Sequence, residues 1–190
     1  MSYDLSHYIT PSYRKLFFEE LPQAMGRIAT DPSPKAMARA SVTYNMIVEE
    51  MLAETGYHAF ETTAERSGLF TGTLDGVPHT ARDESRHIRF GLYLLQRLVS
   101  EDDSIWEVIM ERTNELFPLA LALTPEFFAA YEGQEMPFGL TEGEFVEYAA
   151  NQFDRRMKVL ERDRGKSFSD METAVMAELA EAEEAALGIS

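Results

Sequence analysis

The sequence contains no cysteine. A disulfide framework, a thiolate metal site and a cysteine nucleophile are therefore excluded, and any bound metal must be held by nitrogen and oxygen ligands. No apolar run approaches the roughly 18 residues needed to span a bilayer, and residues 1–20 lack the basic region followed by an apolar core that is typical of a secretory signal. We therefore expect a cytoplasmic protein without a transmembrane segment.

Basic residues are also scarce, because 17 Lys and Arg face 33 Asp and Glu and the formal net charge is −16. Such a surface repels nucleic acid and anionic membranes, so neither is expected as a main partner. Of the 190 residues, 45% are hydrophobic, which is enough for one folded domain with a substantial core. Ten Met and twelve Phe supply apolar volume for a helical core or for a surface that packs on a partner.

Proline and capping residues, rather than short alternating strands, punctuate the chain, and this predicts an all-α fold. The predicted helices cover residues 11–28, 34–67, 78–98, 105–123, 124–131 and 141–164. Ser33 is expected to cap the second helix, with Pro34 in its first turn, and Thr141 and Glu144 match a capping box at the start of the last. Pro118 is expected to kink or divide its helix.

Two further expectations concern the organisation of the chain. Residues 72–78 contain two glycines and a proline, and this composition predicts a turn or an irregular stretch. Residues 1–168 are expected to form a single helical domain. Residues 169–190 are rich in Ala and Glu, and we expect them to form an acidic tail that is either helical or flexible.

One motif with metal-binding chemistry stands out, because His87 is preceded by Glu84 and none of the other three histidines has a Glu at that spacing. Residues three apart share a helix face, so both side chains can reach a single ion. Glu49, which lies 35 positions before Glu84, occupies the apolar stripe of its predicted helix, where an unpaired charge is costly. A carboxylate there can bridge two ions, so the candidate metal ligands are Glu49, Glu84 and His87.

Two neighbouring acids leave alternatives open. Glu50 is the rival of Glu49, and one of the two is expected to face solvent because adjacent helical residues point about 100° apart. Asp83, four residues before His87, is either an outer acceptor for the imidazole N–H or an ordinary first-turn acid that the helix dipole stabilises.

Other polar residues nearby have simpler interpretations. Glu54 is interpreted as part of an exposed acidic face, His58 as a buried histidine with its hydrogen bonds satisfied, and Tyr44 as a core or hydrogen-bonded residue. A Glu-x-x-His step also occurs without any metal in acidic helical proteins, so the motif alone is weak evidence.

Several stretches of the sequence carry a family resemblance: Asp31-Pro32-Ser33-Pro34, Arg39-Ala40-Ser41-Val42-Thr43-Tyr44-Asn45-Met46-Ile47-Val48-Glu49, Leu52-Ala53, Thr55-Gly56-Tyr57, Asp83-Glu84-Ser85-Arg86-His87 and Leu116-Phe117-Pro118-Leu119. They closely resemble the ligand-binding oxidases related to the small subunit of ribonucleotide reductase, and the resemblance extends from about Tyr13 to Arg156. It implies a ferritin-like helical fold with a dinuclear manganese/iron or di-iron centre that activates oxygen. It also implies a pocket for a long-chain fatty acid or a similar ligand.

The resemblance assigns roles by position. Glu49 matches the lone carboxylate ligand of the family, and Glu84 with His87 matches its second Glu-x-x-His pair. Tyr44 matches the tyrosine that becomes cross-linked to a valine near the metals, and is therefore the expected catalytic side chain.

The other half of the family's site has no counterpart in this sequence. Two Glu and two Glu-x-x-His pairs make up a complete site in ferritin-like carboxylate proteins. Only one such Glu and one Glu-x-x-His pair are present in this sequence. We therefore expect the N-terminal half of the fold to be lacking, through truncation, through a split into two chains, or because a homodimer builds the site from two copies. The alternative is a non-catalytic helical interaction protein or fragment whose apolar side binds a partner.

Overall fold

The computed structural model of the chain describes residues 9–133, 135–167 and 169–170. Within these residues every regular element is a helix, which confirms the predicted all-α class. Residues 171–190, which make up nearly all of the predicted acidic tail, lie outside the described residues. No helix in the described part of the chain combines the length and the hydropathy that a membrane span requires.

Two of the helices are built from consecutive segments of different winding. We call residues 11–28 helix α1, which consists of Pro11–Arg14, a π-helical segment Lys15–Glu20 and Leu21–Ile28. Residues 34–67 form helix α2, in which Pro34–Ser41 leads into the π-helical segment Val42–Ala53 and then into Glu54–Ser67.

The remaining helices follow in sequence order. A single short turn, α3, spans Thr71–Leu74, and the long helices α4 and α5 span Val77–Glu101 and Ile105–Ala129. A 3-10 turn at Pro137–Gly139 precedes helix α6, Glu142–Asp163. The predicted irregular stretch at residues 72–78 therefore overlaps the short helix α3 and includes the first two residues of α4.

Both predicted N-caps are confirmed, but the reciprocal half of the predicted capping box is not seen, because the Glu144 carboxylate accepts from Arg66 at 2.7 Å. The Ser33 hydroxyl accepts a hydrogen bond from the Ala36 amide at 3.3 Å, and Pro34 occupies the first turn of α2. The Thr141 hydroxyl accepts from the Glu144 amide at 3.4 Å at the start of α6. These side chains replace acceptors that the first turn of a helix lacks.

The prediction of two separate helices, 105–123 and 124–131, was wrong, because α5 runs without interruption from Ile105 to Ala129. Of the two outcomes expected at Pro118, a kink or a division, the division does not occur, and Pro125 also lies within the helix. The buried side chains Leu116 and Ala120 flank Pro118, which itself faces solvent. Burial of this face on both sides of the proline favours a continuous helix, and it offsets the backbone hydrogen bond that each proline removes.

The π-helical segment of α2 forms the centre of the domain and packs against α4, α5 and α6. Its fully buried side chains include Val42, Ile47 and Met51, and they join Leu95 of α4 and Ile109 of α5 in the core. Each such side chain contributes about 1.5–3 kcal/mol to folding when it leaves water. Because α2 is enclosed by three neighbours, polar residues on more than one of its faces become buried.

Candidate metal centre

The three predicted ligands converge on one point between α2 and α4. Glu49, Glu84 and His87 each offer a ligand atom, and these atoms all lie within 4.8 Å of one another. The His87 Nδ1 atom lies 3.6 Å from Glu49 Oε1 and 3.7 Å from Glu84 Oε2. Glu84 and His87 share a face of α4 because they are three residues apart, and Glu49 approaches them from α2.

The spacing of these atoms fits a shared cation better than direct hydrogen bonds. Both distances exceed the range of about 2.7–3.2 Å for N–H···O bonds. Ligand atoms that each lie about 2.1 Å from one first-row ion are about 3.0–3.5 Å apart at octahedral or tetrahedral angles. One imidazole and two carboxylates also form a donor set that suits iron and manganese.

The electrostatics of the cluster favour a positive charge. Burial and the nearby charge of Glu49 raise the pKa of Glu84, although His87 opposes this effect. Among the ion pairs of the described residues, the carboxylates of Glu49 and Glu84 are joined to His87 and to no Lys or Arg. Two carboxylates that are this close gain stability when a cation lies between them.

Tyr44 lies beside the cluster, on the same helix as Glu49. A hydrogen bond to the Glu49 carboxylate, together with burial and the charges of Glu49 and Glu84, raises the pKa of Tyr44 to about 12. The phenol is therefore a neutral donor to Glu49 at physiological pH. The residue is 37% exposed, so Tyr44 is a hydrogen-bonded residue at the edge of the site and not a core residue.

Glu49 is held from its other side by an amide. Asn45, one turn earlier on α2, donates from Nδ2 to Glu49 Oε2 at 3.1 Å, and its Oδ1 accepts from the Ser41 hydroxyl at 3.1 Å. The same hydroxyl reaches the Gly91 carbonyl of α4 at 3.4 Å. Sequence reasoning missed Ser41 and Asn45, although their four-residue steps before Glu49 place all three on one helix face.

The prediction that either Glu49 or Glu50 would face solvent was wrong, because both are buried. Glu50 accepts a hydrogen bond from Arg156 Nε of α6 at 2.8 Å. Burial raises the pKa of Glu50 to about 8, even though the guanidinium of Arg156 acts in the opposite direction. The rival of Glu49 therefore faces α6, away from the three-ligand cluster.

The prediction that Glu54 belongs to an exposed acidic face was also wrong. Its side chain is half-buried, and its Oε2 atom is buried without a hydrogen-bond partner. Burial raises the pKa of Glu54, and this effect is opposed by Arg156 and increased by Glu84. Glu54 thus belongs to the carboxylate-rich interior between the cluster and α6.

The structure also tests the interpretations of Asp83 and His58, and neither residue contacts the metal ligands as a partner. Asp83 is exposed and forms an ion pair with Arg86 at 3.0 Å, so it does not serve as an acceptor for the His87 ring. His58 is half-buried and stacks on Tyr148, with ring centroids 4.1 Å apart. It lies against α6 and takes no part in the three-ligand cluster.

A cavity of about 350 Å³ opens beside the cluster. Glu49, His87 and Tyr44 form part of its wall. The rest of the lining is mostly apolar and comes from α1, α2 and α4, with Met25, Ile28, Met37, Ala40, Phe90 and Leu94. Pockets of about 300–1,000 Å³ with apolar walls and a few converging polar groups are typical of small-molecule sites.

Solved structures provide independent comparisons. An R2-like ligand-binding oxidase with an aerobically reconstituted Mn/Fe cofactor is 36% identical, matches 82% of this chain and 56% of its own, and superposes with a TM-score of 0.76. A variant whose cofactor was also reconstituted aerobically is 36% identical, matches 82% of this chain and 58% of its own, and has a TM-score of 0.76. An anaerobically reconstituted variant is 37% identical, matches 82% of this chain and 55% of its own, and has a TM-score of 0.74.

The match extends beyond the motif and includes most of the helical framework. No protein-family model matches the chain. The chain spans a little more than half the length of the oxidases that it matches. In sequence and in structure, the chain is similar to the R2-like ligand-binding oxidases over 82% of its length, and it has an all-α, ferritin-like fold.

Proposed function

We propose that this chain supplies Glu49, Glu84 and His87 as ligands to a dinuclear manganese/iron or di-iron centre in an oxygen-activating oxidase. The observation that carries this proposal is the convergence of the three ligand atoms within 4.8 Å. The related oxidases that contain a Mn/Fe cofactor support the same metals. Such a pair of ions, when bound, supplies the electrons for the reduction of O₂.

The residues of the chain prepare this site in distinct ways. His87 presents a ring nitrogen, and Glu84 presents a carboxylate from the adjacent turn of α4. Burial and the charge of Glu49 raise the pKa of Glu84, and a cation bound between the two carboxylates would offset both effects. Tyr44 donates to Glu49 and stands at the cavity wall, where an oxidised side chain or substrate would lie. This position supports a catalytic role for Tyr44.

Three ligands are too few for two ions, so the proposal includes ligands from outside this cluster. A second Glu and a second Glu-x-x-His pair would complete the set. They would come from another segment of a longer chain, from a separate chain, or from a second copy of this chain. A cytoplasmic location also remains part of the proposal.

The apolar cavity supports a substrate or ligand with a hydrocarbon chain, such as a long-chain fatty acid. Its wall combines apolar side chains such as Met25, Ile28 and Phe90 with the metal ligands Glu49 and His87. A carboxylate head group beside those ligands would lie near the cations, and the hydrocarbon would contact the apolar side chains.

Metal analysis of purified protein after anaerobic loading with Mn²⁺ and Fe²⁺ tests the proposal. We expect bound metal in the wild type and a loss of at least tenfold in affinity for Glu84→Ala. Glu147→Ala is the matched control, because Glu147 is an exposed helical glutamate of α6. Equal metal content in all three proteins, or none in any, would contradict the proposal.

A second candidate function is that of a non-catalytic interaction protein. It is favoured by exposed apolar side chains near the cluster, among which Phe90 is 62% exposed and Met25 is 40% exposed. A partner that covers this surface would not require metal. Binding of such a partner with unchanged affinity in Glu84→Ala and in the absence of metal would favour this second function.

A further inference from the structure

We infer that Asn45, packed against Gly91, is the positioning residue that orients Glu49 for a cation. The inference rests on the proposed metal site and extends it to side chains that do not touch the ion. Neither Asn45 nor Gly91 carries a charge. Their effect would be exerted through the direction of the Glu49 carboxylate and through the distance between α2 and α4.

The first argument concerns the two oxygens of Glu49. The Asn45 amide occupies Oε2 at 3.1 Å, and Oε1 is the oxygen that faces His87 at 3.6 Å. The amide is itself fixed, because the Ser41 hydroxyl donates to Asn45 Oδ1 at 3.1 Å. One oxygen is thus held by a buried donor while the other remains directed at the cluster.

The second argument comes from the contrast between Glu49 and Glu50, which are adjacent and both buried. Glu50 accepts from the guanidinium of Arg156, so a cationic side chain of this chain already lies in contact with it. Glu49 accepts from the neutral amide of Asn45 and from the neutral phenol of Tyr44, and no Lys or Arg of the described residues pairs with it. A bound cation would therefore be the positive partner of Glu49, whereas Glu50 already has one in Arg156.

The third argument is steric. Gly91 lies one turn after His87 on α4, and Asn45 lies one turn before Glu49 on α2. A Cβ atom at position 91 would lie 2.2 Å from Asn45 Cβ and 2.4 Å from Asn45 Cγ. Since Asn45 Cβ is fixed to the backbone, rotation of the side chain cannot remove this overlap. Glycine at 91 therefore permits the close approach of the two helices that brings their ligands together.

Titration of the metal-free protein with Co²⁺, followed by visible absorption and calorimetry, tests this inference. We expect Asn45→Ala to lower the Co²⁺ affinity about 10- to 100-fold, as is usual for the loss of a group that supports a metal ligand. The d–d absorption bands should also change, because Glu49 would be free to rotate. Asn114→Ala is the control, since Asn114 is an exposed asparagine within α5, and it should leave both readouts unchanged.

A second variant keeps the test decisive if Asn45→Ala fails to fold. Ser41→Ala removes only the hydroxyl that fixes the amide, and we expect a few-fold loss of Co²⁺ affinity with the same spectral change. Wild-type affinity and spectrum in the folded variants would overturn the positioning role while leaving the metal site intact. Failure of the wild type to bind Co²⁺ in a manner sensitive to Glu84→Ala would overturn the proposed function, and the positioning role with it.

Discussion

Arg156 of α6 donates a hydrogen bond to the neighbouring helix α2, with its Nε atom 2.8 Å from Glu50 Oε1. Glu50 is 1% exposed, and its second oxygen has no hydrogen-bond partner. The side chain of Arg156 is 33% exposed. This contact links α6 to the turn of α2 that also carries Glu49, and it makes Arg156 important for the stability of the region.

We expect Arg156→Ala to lower the free energy of unfolding by about 1–3 kcal/mol near neutral pH, because a buried carboxyl group loses its donor. The loss should grow above pH 8, where Glu50 would have to ionise without a partner. Urea unfolding at pH 7 and pH 9 measures both effects. Arg155→Ala, at the adjacent exposed position, is the control, and an equal loss in the two variants would contradict the assigned role of Arg156.

The pH dependence of stability should reflect the buried acids. Folding raises the pKa of Glu50 from 4.5 to about 8, so the folded protein retains a proton that the unfolded chain releases. The stability that this group contributes is complete below about pH 4.5 and is lost as the pH rises through 8. The loss can reach about 1.4 kcal/mol per pH unit.

Urea unfolding of chelator-treated protein at several pH values between 5 and 8 checks this dependence. The raised pKa values of Glu54 and Glu84 add to the slope in the same direction. Glu50→Gln should make the slope shallower without removing it, while the exposed substitution Glu147→Gln should leave it unchanged. A wild-type slope in Glu50→Gln would show that this carboxyl group does not titrate as expected.

The two histidines of α4 offer a matched pair of variants. His87→Ala should lower the affinity for Mn²⁺ or Fe²⁺ at least tenfold, because the nitrogen ligand is removed. His79→Ala, which alters an exposed histidine on the same helix, should bind metal like the wild type. Anaerobic calorimetry measures the difference, and a similar affinity in the two variants would remove His87 from the site.

Much of the fold was predictable because its signals are local. Ser33 and Thr141 each cap a helix through a backbone amide three residues later, so the sequence alone locates both helix starts. The ligands on α4 were predictable for the same reason, since Glu84 and His87 are three residues apart on one helix. Glu49 was identified by its position on an apolar stripe.

The remaining features depend on contacts between distant parts of the chain. Arg156, which donates to Glu50, lies on another helix, and the periodicity of α2 does not reveal it. The burial of Glu54 has the same origin, because α6 covers that face of α2. The close approach of Gly91 to Asn45 follows from the crossing of two helices, and no local pattern distinguishes this glycine from Gly56, which lies in open space.

That difference between the two helical glycines gives another prediction. Gly91→Ala should both destabilise the protein and weaken metal binding, because its Cβ would overlap Asn45. Gly56→Ala should stabilise the helix by about 1 kcal/mol and leave metal binding unchanged, since no atom lies within 4 Å of its added Cβ. Thermal unfolding and a Co²⁺ titration of both variants check this pair, and equal behaviour would contradict the steric argument.

The most direct test of the central claim is anomalous diffraction from crystals of the protein loaded with Mn²⁺ under anaerobic conditions. We predict a manganese peak about 2.1 Å from His87 Nδ1 and from the facing oxygens of Glu49 and Glu84, and its absence in crystals of Glu84→Ala. Wild-type crystals that contain manganese only elsewhere, or a peak that persists in Glu84→Ala, would contradict the claim that these three side chains bind a metal ion together.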